Sequence, residues 1–209
     1  MQKLLIGIID TGVNPWHSHV GGDVNGCRLY VNDDGEICED RDFRDLIGHG
    51  TAVAGVLRDA LPDSSFFAVR VFENELTTYP SLLARGILRA AAEGCDVINM
   101  SLALPSAHPA TTVSEACLAA REAGSMLVAA GHPGNPSLLP ACLPGVHGVI
   151  SDDMLDDDEV VLNGVEPYAC RASGRPRKLK NTPAVANLHG HSLACARVTA
   201  YQARMARQN

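Results

Sequence analysis

Aromatic side chains are scarce in this chain: one Trp, four Tyr and four Phe make up 4% of its 209 residues, so any core must be mostly aliphatic. Long apolar runs are missing too. The first one, Leu4 to Ile9, stops at Asp10, far short of the roughly 20 residues that cross a bilayer, so a membrane partner is not expected. The amino terminus lacks the longer apolar stretch and small-residue cleavage site of a secretory signal. A basic excess is absent, because 17 Lys and Arg face 24 Asp and Glu for a net charge of −7. That removes the electrostatic footprint of a nucleic-acid binder. The seven cysteines (27, 38, 95, 117, 142, 170 and 195) are odd in number and include no C-x-x-C pair. Reduced thiols in a cytoplasmic compartment account for them most simply. No structural zinc, other metal or cofactor is expected.

What is present reads as an ordinary globular chain, 46% hydrophobic and 20% charged, of a length that suits one domain over residues 1–209. Lys3 to Ile9 is a near-continuous aliphatic run, the pattern of a strand buried on both faces of a parallel sheet. Ser65 to Phe72, Asp96 to Leu102, Ser125 to Ala130 and Gly145 to Ile150 repeat it, each bounded by Gly, Pro, Asp or Asn. Helical spacing lies between them in Val53, Val56, Leu57 and Ala60, in Leu83, Ile87 and Ala90, and in Val113, Ala116, Cys117 and Ala120. The alternation predicts an α/β fold, a parallel sheet with helices on both faces, whose active site lies at the carboxyl ends of the strands. A last helix starts near His191 or Ser192, with Ala194, Val198, Tyr201 and Met205 on its buried stripe and Arg197 and Arg204 on another face. Residues 151–189 are the least regular. They hold an acidic stretch from Asp152 to Glu159 and a basic one (Arg171, Arg175, Arg177, Lys178 and Lys180), read as solvated loops that pair with one another, with selection of a charged substrate as the alternative.

Three polar residues stand where this architecture exposes them: Asp10 after the first strand, His49 in Gly48-His49-Gly50-Thr51, and Ser192 in Gly190-His191-Ser192. A serine hydroxyl is a weak nucleophile. It needs an imidazole to take its proton and a carboxylate to hold that imidazole in one tautomer. Each role has one candidate here. Ser192 at a helix start also turns its own N–H toward a developing oxyanion. Asp10-Thr11-Gly12 also matches aspartic peptidases, but those need two such carboxylates and the chain has a single copy. His17 and His19 read as loop residues, His189 and His191 as neighbours of the serine, and Cys195 as a small core residue.

Ile9-Asp10-Thr11-Gly12, His49-Gly50-Thr51-Ala52-Val53-Ala54-Gly55 and Gly190-His191-Ser192-Leu193-Ala194, in that order, resemble the three signatures of the subtilisin-like serine peptidases. Phe67 to Val71, Asp96 to Leu102 and Val128 to Gly131 are similar to further strands of that family, so the likeness runs over about residues 3–150 and 188–206. The resemblance implies a three-layer αβα sandwich with a mainly parallel central sheet, a triad of Asp10, His49 and Ser192, and a peptide or protein substrate that adds as a strand against Ser101, Leu102 and Ala103. It also implies an oxyanion hole served by the Ser192 N–H and by His132 or Asn135.

The departures are specific. His132 stands where the family has its oxyanion asparagine, His191 replaces a threonine, Ala196 replaces a proline, and Ala103-Leu104 replace glycines. The chain opens on the first catalytic strand, without room for a pro-segment, and no calcium-loop insertion separates Val53 from Phe67. Together these features suggest a cytoplasmic endopeptidase that matures one precursor peptide. The competing reading is a catalytically impaired domain that captures an extended peptide. A homo- or hetero-oligomer that completes the site is left open.

Overall fold

Among the described residues, nine strands and four helices follow one another as β1 (Leu5–Asp10), β2 (Val24–Val31), β3 (Ile37–Asp40), α1 (His49–Ala60), β4 (Ser65–Arg70), α2 (Pro80–Ala92), β5 (Val97–Met100), α3 (Ala110–Glu122), β6 (Met126–Ala130), β7 (Val146–Ser151), β8 (Val160–Val161), β9 (Cys170–Ala172) and α4 (His191–Ala206). This computed structural model describes residues 3–73, 75–105, 110–164, 167–177 and 188–207. The strands form one sheet in the order β3-β2-β4-β1-β5-β6-β7-β9-β8. Pairing is parallel except where β3 meets β2 and β8 meets β9 at the two edges.

Successive side chains of a strand point to opposite faces, and this sorts the apolar residues into two cores. Ile6, Ile8, Phe66, Ala68, Val97 and Val128 pack under α1 and α4. Ile9, Phe67, Val69, Ile98, Met100 and Leu127 pack under α2 and α3. The result is the three-layer αβα sandwich with a mainly parallel sheet. The predicted helical stripes are buried as spaced, with Val53, Leu57, Leu83, Ile87, Val113 and Ala120 all at 0% exposure. Each such Val, Leu or Ile contributes about 1.5–3 kcal/mol by leaving water.

The last helix departs from its predicted stripe. Ala194 and Val198 are buried, but Met205 is 40% exposed, because the final turn from Arg204 to Ala206 lies in solvent on every side. Arg197 is the reverse case, only 8% exposed. Its guanidinium donates to the carbonyls of Asp157 and Ser173, each at 3.1 Å, which satisfies a charge that water does not reach. Along its other side α4 is pinned to β5. The Thr199 hydroxyl donates to Asn99 Oδ1 at 2.9 Å, and the Cys195 thiol lies 3.8 Å from the Met100 carbonyl.

The acidic and basic stretches pair, as their composition predicts. Arg171 reaches Asp152 at 3.1 Å, and Arg175 lies 3.5 Å from Asp157 and 3.9 Å from Asp156. Arg177 turns elsewhere, to Asp59 on α1. Lys178 and Lys180 lie outside the described residues. Among the described residues no helix is long and apolar enough to cross a membrane.

Candidate active site

Asp10 is the last residue of β1 and is fully buried. Its Oδ1 accepts the Thr11 N–H at 2.7 Å and lies 2.7 Å from His49 Nδ1. An ionised carboxylate only accepts, so Nδ1 carries the imidazole proton and Nε2 keeps a lone pair for a substrate. The approach of α1 to β1 depends on Gly50. A Cβ there would sit 2.1 Å from the Gly12 carbonyl oxygen and 3.1 Å from Asp10 Cβ. Gly48, with φ of 100°, makes the left-handed turn into the helix.

No side chain of the capping residue closes that helix start. Asp45 does so from three residues before Gly48. One carboxylate accepts five hydrogen bonds: from the Thr11 hydroxyl (2.8 Å), the Ile47 and Gly48 N–H groups (3.0 and 2.7 Å), and the Thr51 N–H and hydroxyl (2.8 and 2.6 Å). The Thr11 hydroxyl in turn accepts the Gly50 N–H at 2.9 Å, so the loop after Asp10 and the turn that bears His49 are tied through Asp45. Burial draws the His49 pKa down, but the Asp10 charge and hydrogen bond, helped by the Asp45 charge, outweigh it and leave the pKa above its ordinary 6.5. Asp45 escaped the sequence reading. Its signal was an acidic residue just ahead of a helix start that has no cap of its own.

Ser192 is the second residue of α4, after Gly190, whose φ of 127° is reserved for glycine. Its hydroxyl donates to the Ser101 carbonyl at 3.2 Å, and the Ser101 hydroxyl donates back to the Ser192 carbonyl at 3.1 Å. Asp10 and His49 are therefore in contact, whereas the Ser192 hydroxyl rests on Ser101 and not on His49. Catalytic hydrogen bonds are often long or misdirected without substrate and tighten when it binds. Ser101 and Leu102 are buried and Ala103 is exposed. Leu104 exchanges both of its backbone hydrogen bonds with Leu139, at 2.9 Å each, so the strand edge open to a peptide ends at Ala103.

His132 and Asn135 share one exposed turn after β6, bridged to each other. Asn135 Oδ1 accepts the Ser137 N–H at 3.1 Å, and His132 Nδ1 accepts the Gly134 N–H at 3.1 Å, which leaves His132 Nε2 as a donor. The His132 ring meets the His191 ring edge to face, 5.2 Å between centroids. His191 Nδ1 accepts the Ser151 N–H at 2.9 Å. Burial first, then the neighbouring His132, lowers its pKa. The turn is propped from below by Tyr168, whose hydroxyl donates to the Asn135 carbonyl at 2.5 Å and accepts the Leu138 N–H at 3.4 Å. Gly131 lets the ring approach, since a Cβ would fall 2.4 Å from it. Tyr168 was also missed. A lone Tyr beside Pro167 in an irregular segment carries no periodic signal.

The remaining candidates stand apart from the Asp10–His49 contact. His189 pairs with Asp153 at 3.0 Å, and His17 and His19 face each other 5.0 Å apart on the loop after β1. Cys195 is fully buried, and burial pushes its thiol up to about 12, so it is core and not a second nucleophile.

Sheet order, helix placement and site position together define a subtilisin-like α/β domain. The chain belongs to the subtilase family, whose sequence profile matches residues 1–151. Thermitase of Thermoactinomyces vulgaris is 31% identical over 164 residues, 73% of this chain and 56% of that protein. The chain spans about half the length of curated relatives it matches. Among solved structures, a cold-adapted subtilisin-like serine proteinase superposes with a TM-score of 0.75 at 23% identity, covering 99% of this chain and 76% of that one. The epidermin leader peptide processing serine protease of Staphylococcus aureus superposes with a TM-score of 0.72 at 20% identity, covering 96% and 64%.

Proposed function

We propose that this chain is an intracellular serine endopeptidase that matures a specific precursor peptide, with Ser192 as nucleophile, His49 as base and then acid, and Asp10 as the group that orients it. The observation that carries the reading is the 2.7 Å contact of a fully buried Asp10 carboxylate with His49 Nδ1, at the strand ends where α4 delivers Ser192. Ser192 Oγ attacks the peptide carbonyl as its proton passes to His49 Nε2. The oxyanion is met by the Ser192 N–H, one of the first-turn amides that a helix leaves unpaired, and by His132 Nε2–H. His49 then gives its proton to the leaving amine. The acyl group stays on Ser192 until water, deprotonated by His49, releases it.

Precursor maturation is supported by the shortened strand edge, which closes at Leu104, and by the fold shared with a protease named for processing a leader peptide. An intracellular setting is supported by Cys27, Cys95, Cys117 and Cys195, which lie in the core as thiols. The second reading, a domain that binds a peptide without cleaving it, draws on the Ser192 hydroxyl bonded to Ser101 and on His132 in the oxyanion position. Intact mass after exposure to a fluorophosphonate separates the two. The peptidase reading expects one adduct on the parent and none on Ser192→Ala or His49→Ala, and an unlabelled folded parent favours the binding domain.

A further inference from the structure

Two of the chain's departures from the family signatures meet in space. The His132 and His191 rings lie edge to face with centroids 5.2 Å apart, a geometry and separation at which aromatic pairs attract. His132 is exposed on its turn, whereas His191 is half-buried in the first turn of α4. One partner is thus loosely held and the other firmly.

The end of β7 fixes His191. Its Nδ1 accepts the Ser151 N–H at 2.9 Å, with the Ser151 hydroxyl 3.0 Å from the same nitrogen. A backbone N–H only donates, so the ring is neutral and carries its proton on Nε2. The turn ahead of it is closed as well. The Gly190 N–H donates to the Gly174 carbonyl at 2.9 Å, the Gly174 N–H donates to Asp153 Oδ1 at 3.1 Å, and Asp153 Oδ2 pairs with His189 at 3.0 Å. Within its own turn the His132 ring is set by the Gly134 N–H on Nδ1 at 3.1 Å, which fixes its tautomer but leaves it able to tilt. The His191 ring is the wall that His132 leans on.

We infer that His191 is a positioning residue, a neutral ring pinned to Ser151 that holds the His132 imidazole with its Nε2–H toward the oxyanion. The inference rests on the peptidase reading above. A proton on His191 Nδ1 sets an N–H against the Ser151 N–H, which cannot turn round, and so releases the pin. The titratable groups around the ring are His132 on the turn after β6, Asp153 after β7 and His189 ahead of α4. Burial first, then His132, holds the His191 pKa below its ordinary 6.5 against the opposing pull of Asp153, so the pin is intact at neutral pH.

The rate of fluorophosphonate labelling tests this without a known substrate, on the parent, His191→Asn, His132→Asn and the double variant. Asn keeps an acceptor for the Ser151 N–H but has no ring to set against His132. At a pH of about 8, His191→Asn should label about tenfold more slowly than the parent, short of the roughly hundredfold that losing an oxyanion donor outright costs. In the His132→Asn background the same change should cost nothing, because its effect passes through His132. The parent should also show that loss as a second step below pH 6.5, on top of the one-proton fall from His49, and His191→Asn should lack the step. Thermal unfolding checks that each variant folds, His191→Gln replaces His191→Asn if that one does not, and the second step in the parent needs no variant. An unchanged rate in His191→Asn, a loss that persists without His132, or a parent with no second step overturns the positioning role alone. An unlabelled parent overturns the peptidase reading and this inference with it.

Discussion

Ser101 and Ser192 hold each other twice, each hydroxyl donating to the other's carbonyl at 3.1 and 3.2 Å, across the joint between β5 and α4. The Ser101 hydroxyl also accepts from Nδ2 of the fully buried Asn99 at 2.9 Å. Ser101→Ala therefore leaves a buried amide without its acceptor as well as loosening the joint. Urea unfolding should show a loss of about 1–3 kcal/mol, the cost of such an orphaned group. A loss near zero would mean that Asn99 finds another acceptor.

The pH dependence follows from His49. Its folded pKa lies above 6.5, and the proposed peptidase reaction needs Nε2 unprotonated, so kcat/KM should fall as pH drops through a midpoint above 6.5. Asp45→Asn removes one of the negative charges that raise that pKa while keeping an oxygen for the helix start, and the acid limb should move to lower pH. The linkage to stability has the opposite direction. Protonated His49 stabilises the fold fully below 6.5, and this contribution is lost as pH rises through the folded value. A kcat/KM profile on the parent and on Asp45→Asn reads the first effect, and thermal unfolding against pH reads the second.

Tyr168 touches no reacting atom but sets the turn that bears His132. Tyr168→Phe keeps the ring against Gly131 and deletes the hydroxyl that holds the Asn135 carbonyl. The expected result is a fall in kcat of about tenfold with KM nearly unchanged, below the roughly hundredfold that a 1 Å displacement costs. Stability should drop by about 1–3 kcal/mol, for the two hydrogen bonds of that hydroxyl. A variant equal to the parent in kcat removes Tyr168 from any positioning role.

Gly50→Ala tests the contact between α1 and β1. The added methyl lands 2.1 Å from a backbone oxygen, and the nearest atoms are backbone or Asp10 itself, so no flexible side chain can yield. Thermal unfolding should register a loss of about 3 kcal/mol, the upper part of the overpacking range, together with loss of fluorophosphonate labelling.

The thiols should react in two classes. Cys27, Cys95, Cys117 and Cys195 are buried, and burial pushes each up to about 12. Cys38 and Cys142 are half-buried. Iodoacetamide on the native protein should modify the latter pair first, with the four buried thiols protected until unfolding.

The central strands were legible because a strand buried on both faces cannot avoid a run such as Leu5–Ile9. The edge strands were not. β2 interrupts its apolar residues with Asn25, Gly26 and Arg28, and β8 and β9 are only two and three residues long. The triad candidates were legible through their motifs, since Gly12, Gly50 and Gly190 are demanded by close approach or by a positive φ at those points. Asp45 and Tyr168 act through tertiary contacts that no local pattern announces. Arg197 misled because its charge suggests solvent, while its carbonyl partners come from residues 24 and 40 positions away.

The bonds that join α4 to β5 climb the helix in order: Ser192 to Ser101, Cys195 to Met100, Thr199 to Asn99. Eight residues of helix, a rise of about 10 Å, are thereby indexed against Asn99 and Met100 of β5 and Ser101 just past its end, like teeth on a rack. A helix so engaged cannot slide by a residue without releasing every tooth. Ser192 thus has no adjustment separate from the sheet, and any fine movement of the site belongs to the His132 turn and to the His49 end of α1. Loss of serine reactivity and loss of the sheet should therefore occur at one denaturant concentration, as a single event.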